Sequence, residues 1–356
     1  MNGRQGDYPS DNEARAYLLK NQPACYIITY VVAMKSQDMD PRYRSLSSWL
    51  KERFGEPVRK IILDAGLGCP NRDGTLGFGG CVYCNARGSG AGAHERGILI
   101  REQVDRAIEF LSARYHCRKF IAYFQSFTNT YAEPSHLAKL YAEALERPEM
   151  VGLAVGTRPD CVPDEALNVL EDLADERLVW MEYGLQSVHP RTLKLINRGH
   201  GPEAFFDAVT RTRQRKILVV AHLILGLPGE SVADMVETAI RVSEAGVEGV
   251  KLHPLYVVRS TALEQMYQDG SYRPLTESES LEATLAVLGA LPPRTVIHRL
   301  TSDPHAEELV APLWMLDRRG VRNRLLKEMG RKDFRQGSLR SAPVGHERRL
   351  EVKRSV

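Results

Sequence analysis

Three of the six cysteines fall in one stretch, Gly68-Cys69-Pro70-Asn71-Arg72-Asp73-Gly74-Thr75-Leu76-Gly77-Phe78-Gly79-Gly80-Cys81-Val82-Tyr83-Cys84-Asn85. Eleven residues separate the first two thiols and two separate the last pair. An unligated cysteine prefers an apolar interior, and a stretch with five glycines offers little to bury one. Clustered thiolates in such a loop can instead hold a metal. A structural zinc centre would be closed by four ligands, and this stretch holds no fourth Cys or His. Three ligands leave a coordination position open, and an iron-sulfur cluster held this way keeps one iron free for substrate or cofactor. On the thiols alone, zinc and iron both remain open. Tyr83, between the last two cysteines, would cover the site.

Other residues able to do chemistry recur where apolar runs end. Gln125, Thr128, Asn129 and Thr130 follow one run and read either as ligands or as a turn that caps a loop. Thr157 and Arg158 follow another and could meet an anion. Glu182 interrupts the run Leu178-Val179-Trp180-Met181, where an ionised carboxylate is costly unless it is paired or bound to a ligand. His253 and the later group His298, Arg299 and Asp303 are candidates for substrate contact or proton transfer; a merely hydrogen-bonded histidine is the alternative. Cys161 stands alone and reads as a small buried residue.

The elements that must position these residues alternate regularly. Apolar β-type runs occupy residues 61–65, 120–124, 151–155, 178–183, 219–225, 250–255 and 296–300. Helical patterns lie between them at 101–113, 134–146, 163–173, 202–214, 231–245 and 277–288, several opening on Pro or Ser start signals. A further short helix is expected near residues 43–51. Strands separated by single helices imply parallel pairing with right-handed crossovers. The expected fold is therefore α/β, a partial (β/α)6 TIM-like barrel with N- and C-terminal extensions. Its site lies at the C-terminal ends of the strands, where the residues above fall.

Cys81-Val82-Tyr83-Cys84 resembles the Cys-x-x-Cys half of the radical S-adenosylmethionine (SAM) cluster motif. The usual first gap in that superfamily is three residues, whereas here it is eleven. The long form, Cys-Pro-Asn-Arg-Asp-Gly-Thr followed by Gly-Gly-Cys-x-x-Cys, is similar to one subgroup, the YhcC/YtqA-type proteins, which share the core of the Elongator catalytic subunit. The similarity runs from about Tyr43 to Met329. The resemblance implies a [4Fe-4S] cluster on Cys69, Cys81 and Cys84 whose open iron chelates SAM. It also implies SAM contacts from Gln125, Asn129, Thr157, Arg158, Glu182, Gln186, Arg198 and the loop holding Gly226, Gly229 and Glu230. One electron from a low-potential donor of flavodoxin or ferredoxin type would cleave SAM to a 5′-deoxyadenosyl radical. Relatives with this core act on tRNA wobble uridines, so tRNA is the implied substrate. A radical SAM enzyme acting on a small metabolite or peptide is the alternative, and a non-catalytic iron-sulfur sensor or electron carrier is the third reading.

Composition bounds the rest. With 43% hydrophobic and 26% charged residues, the chain reads as soluble and globular. Scattered remaining cysteines argue against a disulfide framework and for a reducing cytoplasm. The apolar patch Ala24 to Ala33 is too short to span a bilayer, and no membrane role is expected. Of the net charge of +3, the segment Arg331 to Val356 contributes +5, with eight basic residues against three acidic ones. A solvated tail is the simpler reading, and a hold on a polyanion such as RNA the other. The expected division is an N-terminal extension over 1–41, poorly ordered and with Met34 or Met39 as an alternative start. A core barrel follows over 42–303, then a helical segment over 304–330 and a basic, disordered tail over 331–356.

Overall fold

The structure, a computed structural model, describes residues 42–85, 88 and 93–340. The N-terminal extension, the apolar patch within it and the last sixteen residues lie outside the described residues. In chain order the elements are α1 (Leu46–Phe54), β1 (Val58–Leu63), α2 (Ile100–Tyr115), β2 (Lys119–Phe124), α3 (Pro134–Leu145), β3 (Met150–Thr157), α4 (Asp164–Ala174) and β4 (Leu178–Gln186). Then come α5 (Pro190–Leu195), α6 (Pro202–Gln214), β5 (Leu218–Leu225), α7 (Val232–Glu244), β6 (Gly249–Pro254), β7 (Val257–Val258) and α8 (Ala262–Gln268). The chain closes with α9 (Glu277–Ala290), β8 (Val296–Arg299), β9 (Leu309–Ala311) and α10 (Arg318–Arg331).

Seven strands form one parallel sheet in the order β1-β2-β3-β4-β5-β6-β8, the half-barrel anticipated from the strand-helix alternation. Helices α7 and α9 start on capping boxes, Ser231 with Asp234 and Thr276 with Glu279, which satisfy N–H groups otherwise unpaired in a first turn. Successive side chains on a strand point to opposite faces. The outward rows, including Phe120, Phe124, Leu153, Val155, Met181 and Tyr183, pack under Leu137, Tyr141, Leu167 and Phe205 of the helices. The inward rows form a second apolar cluster at the barrel's lower end: Val58, Ile121, Ala154, Leu178, Trp180, Val220 and Val296. Leu46 and Leu50 of α1 plug it.

Helix α1 also bridges the open side of the sheet. Ser45 makes a parallel bridge with Ile297 of β8, and Ile297 N donates to Arg44 O at 2.8 Å. The short strands β7 and β9 pair antiparallel and have no counterpart in the sequence expectation. Strand β1 ends earlier than expected because Asp64 turns back, its Oδ1 accepting from Gly66 N at 3.1 Å, with Gly66 at φ 68°. The segment expected to be loose from residue 331 is folded as far as residue 340. Gln336 is buried there, donating to Pro292 O and Thr295 O and accepting from Arg44 N. Among the described residues, no helix is long and apolar enough to cross a membrane.

Because Leu50 is buried in the plug, truncating it leaves a cavity beneath the barrel. Leu50→Ala should cost about 2–5 kcal/mol in urea unfolding. A loss of only a few tenths would mean that α1 does not close the barrel.

Candidate active site

The cysteine loop is fastened on two sides. Asn71, buried, donates through Nδ2 to Asn197 O at 2.6 Å, and Asn197 Nδ2 returns a bond to Gly80 O at 2.8 Å. Val82 N adds a bond to Ile196 O. On the other side Thr128 N donates to Gly68 O at 3.2 Å, and Thr75 Oγ1 meets Tyr131 OH at 2.9 Å. Arg72 lies over the Phe127 ring at 5.6 Å and directs Nη1 at Cys84 Sγ, 3.6 Å away. Arg198 directs Nη1 at Cys81 Sγ, also at 3.6 Å, and its Nε donates to Gly184 O at 3.1 Å. A Cβ on Gly184 would sit 2.8 Å from both Arg198 Nη2 and Gln186 Nε2, so a larger residue would displace these two side-chain ends. Phe127, Gln186 and Asn197 all have positive φ, at 58°, 76° and 51°. Such conformations cost energy in bulky residues and cluster at functional sites.

Below the loop the inward rows turn polar around Glu182, which is 1% exposed. Its Oε1 accepts from Lys60 Nζ at 2.7 Å and Trp180 Nε1 at 2.9 Å. Its Oε2 meets His222 Nε2 at 2.7 Å and accepts from Lys251 Nζ at 3.0 Å. Lys251 Nζ also donates to Tyr123 OH at 2.7 Å. Burial pushes the Glu182 carboxyl up, but Lys251 and Lys60, with hydrogen bonds from His222 and His298, outweigh it and hold the group well below 4.5. Burial lowers the Lys251 ammonium to about 7 despite Glu182, with Lys60 and Arg299 adding repulsion. Burial likewise lowers His222 and His298 to about 4, so both are neutral at pH 7.

A cavity of about 200 Å³ joins the two layers. It is lined by all three cysteines and, of the residues expected around SAM, by Gln125, Thr157, Arg158, Glu182, Gln186 and Arg198. His253, Arg299 and Asp303 also reach it. Asn129, Gly226, Gly229, Glu230 and His298 do not line it. Asn129 donates to Gly156 O at 2.8 Å behind the strand ends, and Glu230 accepts from Ser187 Oγ. Leu275 packs on Gly226, while His298 lies edge-on to Trp180 beneath Glu182. Cys161 is half-buried.

Sequence reasoning missed Lys60, Tyr123, His222 and Lys251. For Lys60, His222 and Lys251 the signal was present, a charged or imidazole side chain in or at the start of an apolar strand run, the same cost that singled out Glu182; Tyr123 carried no such mark. Asn71 gave none, because Asn in a glycine-rich loop reads as a turn residue.

The donor set fits an iron-sulfur cluster with an organic ligand beside it. Cationic N–H groups face Cys81 and Cys84, and at Cys84 the Arg72 guanidinium opposes the burial that pushes the thiol up to about 11. Arg158, held by Asp160 through Nε and Nη2, keeps a buried Nη1 without a partner at the cavity wall. Among the described residues no three of His, Cys, Asp and Glu already converge on one point. The fit therefore rests on the shared wall and the facing cations.

Half-barrel and cavity together define the class, an α/β half-barrel whose strand-end cavity is bordered by three cysteines. A family model for the radical SAM superfamily matches residues 66–242, and one for the radical SAM C-terminal domain matches 247–331. The chain is 36% identical to the uncharacterized protein YtqA of Bacillus subtilis over 298 residues, covering 84% of this chain and 92% of that one. It is 38% identical to protein YhcC of Escherichia coli K12 over 270 residues, covering 76% and 86%. A tRNA uridine(34) acetyltransferase of Methanocaldococcus infernus is 27% identical over 199 residues, 55% of this chain and 36% of that one. The solved Elp3 of the same archaeon superposes with a TM-score of 0.62 at 20% identity, covering 78% and 64%, and shares the fold. The chain belongs to the radical SAM superfamily, in its YhcC/YtqA-type subgroup related to the Elongator catalytic subunit. It is an enzyme, and its family's cofactors are a [4Fe-4S] cluster and SAM.

Removing the Glu182 carboxylate leaves the buried Lys251 and the half-buried Lys60 without their shared carboxylate. Glu182→Ala should lose about 3–5 kcal/mol at pH 7 in urea unfolding. The carboxyl titrates below its free value of 4.5 in the folded chain, so its contribution is full above pH 4.5 and fades as pH falls further. A variant with wild-type stability at pH 7 would refute the pairing.

Proposed function

We propose that Cys69, Cys81 and Cys84 hold the cluster and that the enzyme modifies the side chain of tRNA wobble uridine. When bound, cluster and SAM supply one-electron cleavage of SAM and removal of a hydrogen atom from the substrate. The chain's own residues bind, orient and enclose. Arg198, fixed on Gly184 O with its guanidinium against Cys81, is placed for the SAM carboxylate through bidentate bonding. Arg158 offers its unpartnered Nη1 to the same ligand. Thr157, Gln125 and Gln186 border it on the cavity wall. His253, Arg299 and Asp303 lie on the wall and are the residues for substrate contact.

The observation that carries the cofactor assignment is that all three thiols share one cavity wall with Arg198. Support for tRNA comes from the relative named as a tRNA uridine(34) acetyltransferase. A low-potential flavodoxin or ferredoxin in the cytoplasm is the reductant this chemistry requires.

Cys81→Ala should abolish cluster absorbance and the formation of 5′-deoxyadenosine under dithionite, a loss of more than about 100-fold, while the circular dichroism stays native. Wild-type turnover by that variant would remove the ligand assignment. Modified nucleosides in tRNA from a deletion strain should differ from the parent at wobble uridine. An identical profile would point to a small metabolite or peptide instead.

A further inference from the structure

The cations in the upper cavity have partners in kind. Arg72 and Arg198 face cysteine sulfurs, and Arg158 is paired with Asp160. The lower cavity is different. Glu182, a single carboxylate, sits between the ammonium groups of Lys60 and Lys251, 2.7 and 3.0 Å away. Asp303, the other acidic residue on the cavity wall, faces both Arg299 and Arg318. His222 and His253 are held neutral by burial, and His253 Nε2 is buried without a hydrogen-bond partner. Lys60, Lys251, Arg299 and Arg318 thus face two carboxylates, with Lys251 brought by burial to about 7 and so partly charged at neutral pH. Burying an uncompensated charge is costly, and the cofactors do not obviously relieve it. Lys251 pairs with Glu182, which stands two residues before Gly184, the anchor of Arg198, so the floor lies roughly 7 Å deeper along the barrel.

We propose that the floor of the cavity is a substrate subsite for a carboxylate, bound by Lys251 with Tyr123, His253 and Arg299 around it. Lys251 spends two donors on Glu182 and Tyr123 and an ammonium has three, so one remains for the incoming oxygen. The lone Nε2 of His253 supplies a second contact when it carries the proton. The floor's cations outnumber its carboxylates, and the two oxygens of a carboxylate match the two contacts on offer, the third Lys251 N–H and His253 Nε2. The barrel therefore takes the anionic end of its substrate downwards and leaves the reacting carbon nearer the SAM layer. The subsite rests on the cofactor placement proposed above and is independent of whether the substrate is tRNA.

The test uses reconstituted holoenzyme saturated with SAM, and fluoroacetate and fluoroacetamide as probes of equal shape and different charge, read by ligand-observed 19F NMR. Wild type should bind the carboxylate about tenfold more tightly than the amide. Lys251→Met should erase that preference, Lys251→Arg should keep it, and Glu182→Gln should increase it, since another negative charge is gone. Equal binding of the two probes by wild type, or a preference that survives Lys251→Met, would overturn the subsite. Fluoroacetate binding that appears in cluster-loaded enzyme without SAM and is lost on adding SAM would show that the anion site is that of SAM itself, and tighter binding of inorganic phosphate would reject the carboxylate class. If Lys251→Met does not fold, the Lys251→Arg and Glu182→Gln pair decides. A clear carboxylate preference with an unchanged wobble-uridine profile would keep the subsite and discard the tRNA reading.

Discussion

One buried carboxylate holds the barrel interior together. Glu182 on β4 receives Lys60 from β1, His222 from β5 and Lys251 from β6, strands on both sides of it in the sheet. A half-barrel has no closing strand pair to fix the distance between its edges, and these bonds span that distance. Their worth lies less in net stability, since a buried ion pair often only breaks even against apolar packing, than in the arrangement imposed. Once Glu182 is ionised, two ammonium groups must sit at one height. The apolar plug of Leu50, Ile121, Trp180 and Val296 ends just below, and the cavity begins just above.

That height fixes what the upper layer can be. Two residues after Glu182, Gly184 presents its carbonyl to Arg198 and has no Cβ to block it. Arg198 is followed back through Asn197 to Asn71, and so to the cysteine loop. The loop borrows its rigidity from these reciprocal amide bonds rather than from regular structure. Positive φ at Phe127, Gln186 and Asn197 is the strain accepted for this. The eleven-residue spacing between the first two thiols provides the length in which Asn71 can turn inward and Gly80 can receive Asn197.

The legible and illegible parts of this design differ physically. Parallel strands covered on both faces are near-continuous apolar runs, so β2 to β6 stood out from Phe120 onwards and their helices followed. Glu182 was legible because a carboxylate in such a run is expensive. Lys60, His222 and Lys251 bear the same mark, yet their meaning depends on register. Only when His222 is set against Lys251 on the neighbouring strand does a list of isolated polar residues become one network. The pair β7 and β9, two residues against three, is too short for any pattern to announce it. Gln336 lay in a basic segment whose composition resembles a solvated tail, while its amide is spent on carbonyls beside β8.

The two layers also divide the labour between family and substrate. Residues that face sulfur or hold the loop border the three thiols. The floor is built from other strands. Its lysines come from β1 and β6, and Arg299 from the end of β8. A carboxylate fixed at Glu182 makes a second, incoming carboxylate affordable only because two lysines already share the first. Charge placed so deep acts on any ligand before water can screen it. With the proposed subsite, selection among substrates is electrostatic at the bottom of the barrel.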